Sequence, residues 1–199
     1  KKGEIEMKYL LLSMMMACGA SCNKEATKTD STEQVLAPTE NEKWDFVTWE
    51  ECNQWVDSHA CNFELMDQNG EMVNLYDHYG KVIIVDISSM WCPYCVNIAP
   101  KAAEFKELYG EDNFIWLTLL VQDFDGNKPD ISDLQQWALM NNVDEPILAA
   151  GDIVDLSGEN GYPVTAYPTI VLITKEMIVY RGVSGWNEDI IKTWIEEIL

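Results

Sequence analysis

The chain has 199 residues, of which 47% are hydrophobic and 11% aromatic, and this composition excludes a wholly disordered protein. Its length fits one domain with appendages, large enough to bury a sizeable core. The formal net charge is −21 with a single arginine, which excludes a nucleic-acid-binding protein because such proteins need a basic face. The excess of acid predicts solubility or, as the alternative, electrostatic steering towards a basic partner.

The N-terminal residues 1–22 have the pattern of an export signal. Lys8 precedes the apolar stretch Tyr9–Ala17, which is too short to span a bilayer but typical of a signal peptide. A small residue directly before Cys18 predicts lipoprotein processing, with Cys18 carrying the lipid and Cys22 as the alternative. An ordinary signal peptide that is cut nearby also stays open. In either case we predict an exported protein, periplasmic or in the cell envelope, in which stable disulfides are permitted.

Residues 23–43 are rich in Thr, Glu, Lys, Ser and Pro and have almost no large apolar side chains. Such a segment buries too little surface to offset the entropy lost on ordering. We predict a flexible tether between a lipid anchor and a folded domain that covers residues 44–199.

The folded domain begins with an aromatic segment, Trp44–Val56. Thr48, followed by Glu50 and Glu51, predicts the start of a helix, because a hydroxyl cap and acids in the first turn stabilise a helix N-terminus.

Cys52 and Cys61 flank a short loop just after this start. In an exported protein they predict a structural disulfide that fastens the segment to the strand near Phe63. A second redox pair that relays electrons is the alternative.

Two short strands follow, Phe63–Gln68 and Glu71–Leu75. Asn69 and Gly70 join them, and this dipeptide is typical of a tight β-hairpin turn. We therefore predict an N-terminal hairpin before the main sheet.

The most informative stretch is a β-branched run, Val82–Ile87, that leads into Cys92-Pro-Tyr-Cys95. The run predicts a strand buried on both faces. An apolar pattern at helical spacing follows, with Pro93 at the first helical position, where its missing N–H costs nothing. The unpaired N–H groups and positive dipole end of this helix favour a thiolate on Cys92. The sequence thus predicts a reactive dithiol.

The rest of the chain alternates helical and strand patterns, and Pro100 is expected to kink the helix that follows the dithiol. The predicted strands are Phe114–Val121, Pro146–Ala149, Thr169–Thr174 and Met177–Val183, and the predicted helices are Ile131–Asn141 and, after a cap at Asn187, Glu188–Leu199.

Several motifs together resemble thioredoxin over roughly residues 63–199. They are Trp91 before the dithiol, Cys92 and Cys95, Ile98-Ala99-Pro100, Asp86 six positions before Cys92, and Tyr167-Pro168-Thr169 before an apolar strand. The hairpin entry is similar to that of exported TlpA- and ResA-type thiol-disulfide oxidoreductases. This resemblance implies an α/β thioredoxin-like fold, with a central mixed β-sheet flanked by helices and an added N-terminal β-hairpin.

The resemblance also implies roles for the central residues. Cys92, the exposed thiol, would attack a substrate disulfide, and the more buried Cys95 would resolve the mixed disulfide. Asp86 would lie beneath Cys95 with a pKa raised by burial and act as a general base, or else be a merely structural buried acid.

The same resemblance places the substrate beside the dithiol. Pro168, if cis, would expose the backbone of Tyr167 to an extended substrate segment. Trp91, Pro93 and Tyr94 would supply apolar surface next to Cys92, although Trp91 could equally serve packing alone. Tyr167 departs from the small or β-branched residues that are usual before this proline.

No metal or other cofactor is implied. The paired cysteines lack a second ligand pair for zinc. Copper delivery would need three residues between the cysteines of the dithiol and a histidine well downstream, whereas Cys92 and Cys95 are separated by two residues and no histidine follows His78. A Cys-Pro-Tyr-Cys also occurs in glutaredoxins, but the basic residues that hold glutathione are not evident. The Thr-x-x-Cys pattern of a peroxidase is absent from the sequence.

We therefore predict an exported thiol-disulfide reductase that acts on disulfide-bearing envelope proteins and is kept reduced by a membrane electron donor. A disulfide oxidase or isomerase of the same fold and a non-catalytic, redox-sensing binding module are the alternatives. We expect a monomer, joined to the membrane by its lipid anchor.

Overall fold

The computed structural model describes residues 43–150, 153–155 and 161–199. The predicted export signal with Cys18 and Cys22, and the predicted tether apart from Lys43, lie outside these residues. The strands are β1 (Glu64–Met66), β2 (Met72–Asn74), β3 (Val82–Ser89), β4 (Phe114–Gln122), β5 (Ile147–Ala149), β6 (Val154–Asp155), β7 (Tyr162–Pro163), β8 (Thr169–Ile173) and β9 (Val179–Ser184). The α-helices are α1 (Pro93–Ile98), α2 (Lys101–Tyr109), α3 (Ile131–Asn141) and α4 (Glu188–Ile198). Within the described ranges, no helix is long and apolar enough to cross a membrane.

The β-branched run forms the centre of a five-stranded mixed sheet. Every residue of β3 is buried, because it has a paired strand on each side and a packed layer on each face. It runs parallel to β4 and antiparallel to β8. The strand order β5-β4-β3-β8-β9 leaves β5 and β9 at the two edges of this sheet. The predicted central strand and mixed sheet are confirmed.

The sheet separates two apolar clusters, because successive residues of a strand point to opposite faces. Ile84 of β3 packs in a cluster that also contains residues of α1, α2, α3 and α4, which we call the helical face. Its neighbour Ile83 packs in the other cluster, with Ala60, Phe63 and Tyr76 from the N-terminal part of the chain. We call this second side the strap face.

The predicted N-terminal hairpin is present but shorter than expected, since β1 and β2 have three residues each. The side chain of Asp67 accepts hydrogen bonds from the backbone N–H groups of Asn69 and Glu71 and so fixes the turn. Gly70 adopts a φ of 81°, which glycine tolerates without strain.

Pro100 interrupts the helix after the dithiol, as predicted. The helix α1 ends at Ile98 and α2 begins at Lys101, because proline has no N–H to continue the hydrogen-bond ladder. Asn187 caps α4 by accepting a hydrogen bond from the N–H of Ile190 at 3.2 Å.

The prediction of a helix that begins at Thr48, with Glu50 and Glu51 in its first turn, is wrong. Residues 44–62, here called the N-terminal strap, have no α-helix. The rings of Trp44, Phe46 and Trp49 all contact Tyr76, with centroids 5.7, 5.7 and 5.8 Å from it. Residues two apart do not share a helix face, so this packing needs an irregular, more extended chain.

A disulfide joins Cys52 and Cys61 within the strap. Between them, the ring of His59 stacks on Trp49 with centroids 3.9 Å apart and planes inclined by 4°. The same segment also bonds to the start of the edge strand β9. The N–H of Asp57 donates to the carbonyl of Val179 at 2.9 Å, and the N–H of Val179 donates to that of Ser58 at 2.9 Å.

Candidate active site

Cys92 occupies the N-cap of α1, and Pro93 is the first helical residue. The Sγ of Cys92 accepts a hydrogen bond from the backbone N–H of Cys95 at 3.3 Å. This N–H is one of the donors at a helix N-terminus that no helical carbonyl can reach. The sulfur therefore takes the position in which a thiolate gains both a hydrogen bond and the positive end of the helix dipole.

The exposure of Cys92 is far smaller than predicted, since it retains 3% of its accessible surface. Its thiol donates a hydrogen bond to the backbone carbonyl of Tyr167, with an S–O distance of 3.6 Å. The loop that contains Tyr167 therefore covers the Cys92 sulfur. The expectation of an exposed attacking thiol is corrected accordingly, although Cys92 remains the less buried of the pair.

Cys95 lies one helical turn further on and is completely buried. Burial raises the pKa of its thiol far above the usual value, and the neighbouring Cys92 sulfur and Asp86 carboxylate raise it further. Cys95 is therefore a protonated thiol at neutral pH. A group in this state needs a proton acceptor before it can act as a nucleophile.

Asp86 is a fully buried acid in the middle of β3, on the helical face. Burial raises the pKa of its carboxyl to about 6, and the Ser88 hydroxyl and nearby Trp116 and Thr118 side chains offset part of this effect. Its Oδ2 has no hydrogen-bond partner among the described residues. The predicted raised pKa is present, and the charge of Asp86 acts on Cys95.

Ser88 is not among the residues that the sequence predicts for this site. Its hydroxyl donates a 2.7 Å hydrogen bond to Oδ1 of Asp86, and both residues are completely buried. The two-residue period of a strand is the signal that could have found it, because residues i and i+2 share one face. Ser88 completes the polar group beneath the dithiol.

The peptide bond between Tyr167 and Pro168 is cis. It presents the Tyr167 carbonyl to Cys92, while Pro168 itself is buried directly before β8. The ring of Tyr167 stands edge-on to that of Trp91, with centroids 5.8 Å apart. Residues 75 positions apart are thereby brought to one sulfur atom.

Two exposed aromatic side chains flank the dithiol. Trp91 is 49% exposed and Tyr94 is 71% exposed, and Pro93 between the cysteines is also exposed. The Nε1–H of Trp91 donates to the side-chain oxygen of Gln122 at 2.9 Å, which fixes the orientation of the indole. Gln122, at the end of β4, is a second residue that the sequence did not single out.

The structure does not bring the two cysteine pairs together. Cys95 packs in the cluster of the helical face, whereas Ala60, next to Cys61, packs in the cluster of the strap face. The sheet lies between them. Cys92 and Cys95 are the free cysteines among the described residues, and Cys52 and Cys61 are bonded to each other. The described ranges contain no group of three or more His, Cys, Asp or Glu that could hold a metal ion.

The arrangement has the parts of a thiol-disulfide exchange centre. It has a thiol at a helix N-terminus, a second thiol one turn away and a buried acid near the second thiol. Exposed aromatic side chains flank the two thiols. A dithiol of this kind can exchange two electrons with another disulfide without any cofactor.

Comparison with known proteins agrees with this description. A model of the AhpC/TSA family matches residues 56–181. The chain is also 28% identical over 120 residues to an uncharacterized protein of Haemophilus influenzae, an alignment that covers 58% of this chain and 74% of that protein.

Solved structures show the same fold. A thiol:disulfide interchange protein of the thioredoxin family from Chlorobium tepidum is similar with a TM-score of 0.59 and 16% identity, covering 72% of this chain and 97% of that one. The exposed lipoprotein thioredoxin of Streptococcus pneumoniae is similar with a TM-score of 0.55 and 27% identity, covering 68% and 99%. The predicted thioredoxin-like α/β fold with its N-terminal hairpin is confirmed.

Proposed function

The chain belongs to the AhpC/TSA family, and from this membership and its buried dithiol we propose that it is an exported thiol-disulfide oxidoreductase that reduces disulfides of other envelope proteins. The observation that carries the proposal is the position of Cys92. Its sulfur caps α1 and accepts the N–H of Cys95 at 3.3 Å, which stabilises the thiolate that exchange requires.

The proposed reaction has two steps. The Cys92 thiolate attacks one sulfur of the substrate disulfide, so that a Cys92–substrate disulfide forms and the other substrate sulfur leaves as a thiolate. Cys95 then loses its proton and attacks Cys92, which forms the Cys92–Cys95 disulfide and releases the second substrate sulfur. Asp86 is the proposed acceptor of the Cys95 proton, because it is the raised-pKa carboxyl next to that thiol.

We propose that the substrate segment lies along the Tyr167–Pro168 loop. The Tyr167 carbonyl accepts a hydrogen bond from the Cys92 thiol. When that thiol becomes part of a disulfide, the carbonyl is free to accept a hydrogen bond from an extended peptide instead. Trp91, Pro93 and Tyr94 provide exposed apolar surface beside it for substrate side chains. Tyr167 itself narrows this groove and restricts the substrate range.

Export and a lipid anchor at Cys18 are part of the proposal. The signal pattern of residues 1–22 and the Cys52–Cys61 disulfide both favour an oxidising compartment. The similarity to a pneumococcal exposed lipoprotein thioredoxin supports the same location. A membrane electron donor would then be needed to return Cys92 and Cys95 to the dithiol, since a reductase is oxidised in every turnover.

The test is turnover of a protein disulfide by the full chain, with insulin as the substrate and dithiothreitol as the electron donor. We expect reduction of insulin by the wild type and none by Cys92→Ser, while Cys95→Ser accumulates a mixed disulfide with the substrate. The matched control is Cys52→Ala combined with Cys61→Ala, which removes the other pair and should retain turnover. Failure of the wild type to reduce insulin would leave the redox-sensing binding module as the better explanation.

The direction of the reaction is tested by the reduction potential of Cys92 and Cys95, measured by equilibration with glutathione or dithiothreitol in the variant that lacks Cys52 and Cys61. A potential near that of thioredoxin, about −270 mV, supports the reductase. A potential near that of strongly oxidising relatives, about −120 mV, would make the protein an oxidase instead.

A further inference from the structure

The strap pairs with only the first residue of the edge strand β9. The N–H of Asp57 donates to the carbonyl of Val179, and the N–H of Val179 donates to that of Ser58, both at 2.9 Å. The strap bends at this point, since the carbonyl of Trp55 accepts the N–H of Ser58 at 3.2 Å and Asp57 adopts a φ of 68°. Within the described ranges, the rest of β9 has no strand on its outer side.

The pairing of β9 with β8 shows which of its backbone groups stay free. In an antiparallel pair, residues whose N–H and C=O bond to the partner strand alternate with residues whose groups point outward. The N–H of Gly185 donates to the carbonyl of Pro168 at 2.7 Å and so points inward. Counting back along the regular register, Ser184 and Gly182 point outward. These two residues offer N–H and C=O groups that another extended chain can reach.

A groove of about 220 Å³ lies beside these two residues on the strap face. Its walls include Val171 of β8 and two exposed strap residues, Trp55 at 52% and Val56 at 50%. Gly182 has no side chain to fill the space. Because every second side chain of an added strand would face this side of the sheet, a docked segment can place an apolar side chain here. The groove is larger than a cavity that holds a benzene ring.

The groove ends at the loop that covers the dithiol. The Ser184 hydroxyl lies 3.3 Å from the hydroxyls of Thr165 and Thr169. These two threonines stand on either side of Tyr167 and Pro168 in the chain. A segment that bonds to the backbone of Tyr167 therefore has the edge of β9 within reach of its next few residues.

The lining and the charge of the chain indicate which occupant fits. The described lining of the groove consists of apolar side chains, hydroxyls, one amide and a glycine, so it favours an uncharged, apolar side chain. A second copy of this chain is disfavoured, because two molecules with a formal net charge of −21 each repel one another. A substrate protein carries no such general penalty.

We propose that the outer edge of β9 at Gly182 and Ser184, with its groove, binds the substrate segment that flanks the target cysteine, an inference that rests on the proposed function. The segment adds to β9 as a further strand and exchanges hydrogen bonds with the outward groups of both residues. One of its apolar side chains packs against Trp55 and Val56. The substrate class is therefore an extended polypeptide with an apolar residue near its disulfide, rather than a small disulfide.

The test uses the reduced full chain and synthetic peptides whose single cysteine carries thionitrobenzoate in a disulfide. Cys92 attacks the peptide sulfur, a Cys92–peptide disulfide forms, and thionitrobenzoate leaves as a coloured thiolate. Matched peptides have valine or serine at each flanking position in turn. Each rate of release is divided by the rate of the same peptide with dithiothreitol, which corrects for intrinsic reactivity. We expect the valine peptide to react about tenfold faster at one position, and equal rates at every position would overturn the groove.

Strand addition is tested with the same peptides after methylation of single backbone nitrogens. Alternate N–H groups of an added strand face β9, and the groups between them face solvent. Methylation should lower the rate at every second residue of the bound flank and leave the residues between them as controls. An equal effect at neighbouring residues would overturn strand addition. This measurement uses the wild type and so depends on no variant.

The decisive variant is Gly182→Val, which fills the groove. A Cβ at Gly182 would lie 3.8 Å from both Ile170 O and Val171 Cγ2, an ordinary contact distance, and the backbone there has no positive φ. We expect the ratio of the valine to the serine rate to fall to about one. Arg181→Val is the matched control, because Arg181 lies over the ring of Trp194 on the helical face and should keep the wild-type ratio. Loss of the ratio in both variants, or in neither, would overturn the groove.

Two further outcomes separate this inference from the proposed function. Release of thionitrobenzoate from no peptide by the wild type would overturn the proposed function and this inference with it. Release without any preference for valine or for unmethylated nitrogens would overturn this inference alone. Sedimentation of a dimer that Gly182→Val dissociates would assign the edge to a second copy and also overturn it.

Discussion

The two cysteine pairs of the folded region lie on opposite faces of one sheet and have different surroundings. Cys92 and Cys95 are free thiols at the N-terminus of a helix, with a buried acid beside the second. Cys52 and Cys61 are joined in an irregular segment that packs through aromatic rings. What separates them is not the cysteine but its surroundings, since the strap offers no helix N-terminus and no buried carboxylate in contact with its sulfurs among the described residues.

The largest difference between the pairs should appear on removal of one sulfur. Cys92→Ser should reduce disulfide turnover to the uncatalysed background, because the attacking atom is lost. Removal of both Cys52 and Cys61 should change turnover by no more than about twofold, as expected for a variant far from the reacting atoms. The measurement is insulin reduction with a fixed concentration of dithiothreitol. A comparable loss of activity in both variants would contradict the division of labour between the faces.

The buried carboxyl of Asp86 should lower the free energy of unfolding at neutral pH. Its pKa is about 6 in the folded protein against 3.8 as the reference value, so the native state holds this proton more tightly than the unfolded state. Stability from this group is complete below pH 3.8 and is lost as the pH rises to about 6. Asp86→Asn should therefore stabilise the protein at pH 7 by about 3 kcal/mol, with no gain near pH 4.

Urea unfolding of wild type and Asp86→Asn at a series of pH values checks this prediction. The strap offers the comparison, because the Cys52–Cys61 variant should lose stability by a similar amount at every pH. A stability gain in Asp86→Asn that did not change between pH 4 and pH 7 would show that the carboxyl is not the cause.

The disulfide of the strap should contribute stability rather than chemistry. Its cysteines are nine residues apart, and closing a loop of that size raises the free energy of the unfolded chain by about 2.5 kcal/mol. Cys52→Ala combined with Cys61→Ala should lower the free energy of unfolding by that amount in denaturant titrations. Unchanged stability together with lost turnover would favour the electron-relay alternative for this pair.

The smallest expected effect concerns the contact between the strap and the sheet. The Tyr76 hydroxyl donates to the carbonyl of Ala60 at 2.8 Å in a buried position. Tyr76→Phe keeps the edge-to-face ring contacts and removes this bond, which should cost about 1 kcal/mol in thermal or denaturant unfolding. The rate of insulin reduction should stay the same, and a slower rate would show that the two faces are coupled.

The sequence predicts the helical face well because its signals are local. The β-branched run of β3, the Cys-Pro-Tyr-Cys at a helix start and the break at Pro100 each depend on neighbours within a few residues. Ser88 could also have been found, since a strand places it beside Asp86. The near-complete burial of Cys92 could not, because the carbonyl that covers it lies 75 residues away.

The strap was harder to predict for the same reason. A hydroxyl followed by two acids favours a helix start at Thr48, but this preference is worth about 1 kcal/mol. The rings of Trp44 and Trp49 instead contact Tyr76, about thirty residues further along the chain. Burial of such large rings contributes more than a helix cap, so long-range packing decides the local structure.

The bonds between the strap and β9 also bear on how the protein behaves in a crowded compartment. An edge strand with unpaired N–H and C=O groups is a template on which another chain can add a strand and begin to aggregate. Here the segment that contains Asp57, Ser58 and Ala60 already pairs with Met177 and Val179 at the start of that edge. The disulfide between the two cysteines that flank this segment holds it in register. Loss of this disulfide would therefore expose unpaired backbone groups at the sheet edge as well as loosen a loop. Self-association would then accompany any decrease in stability.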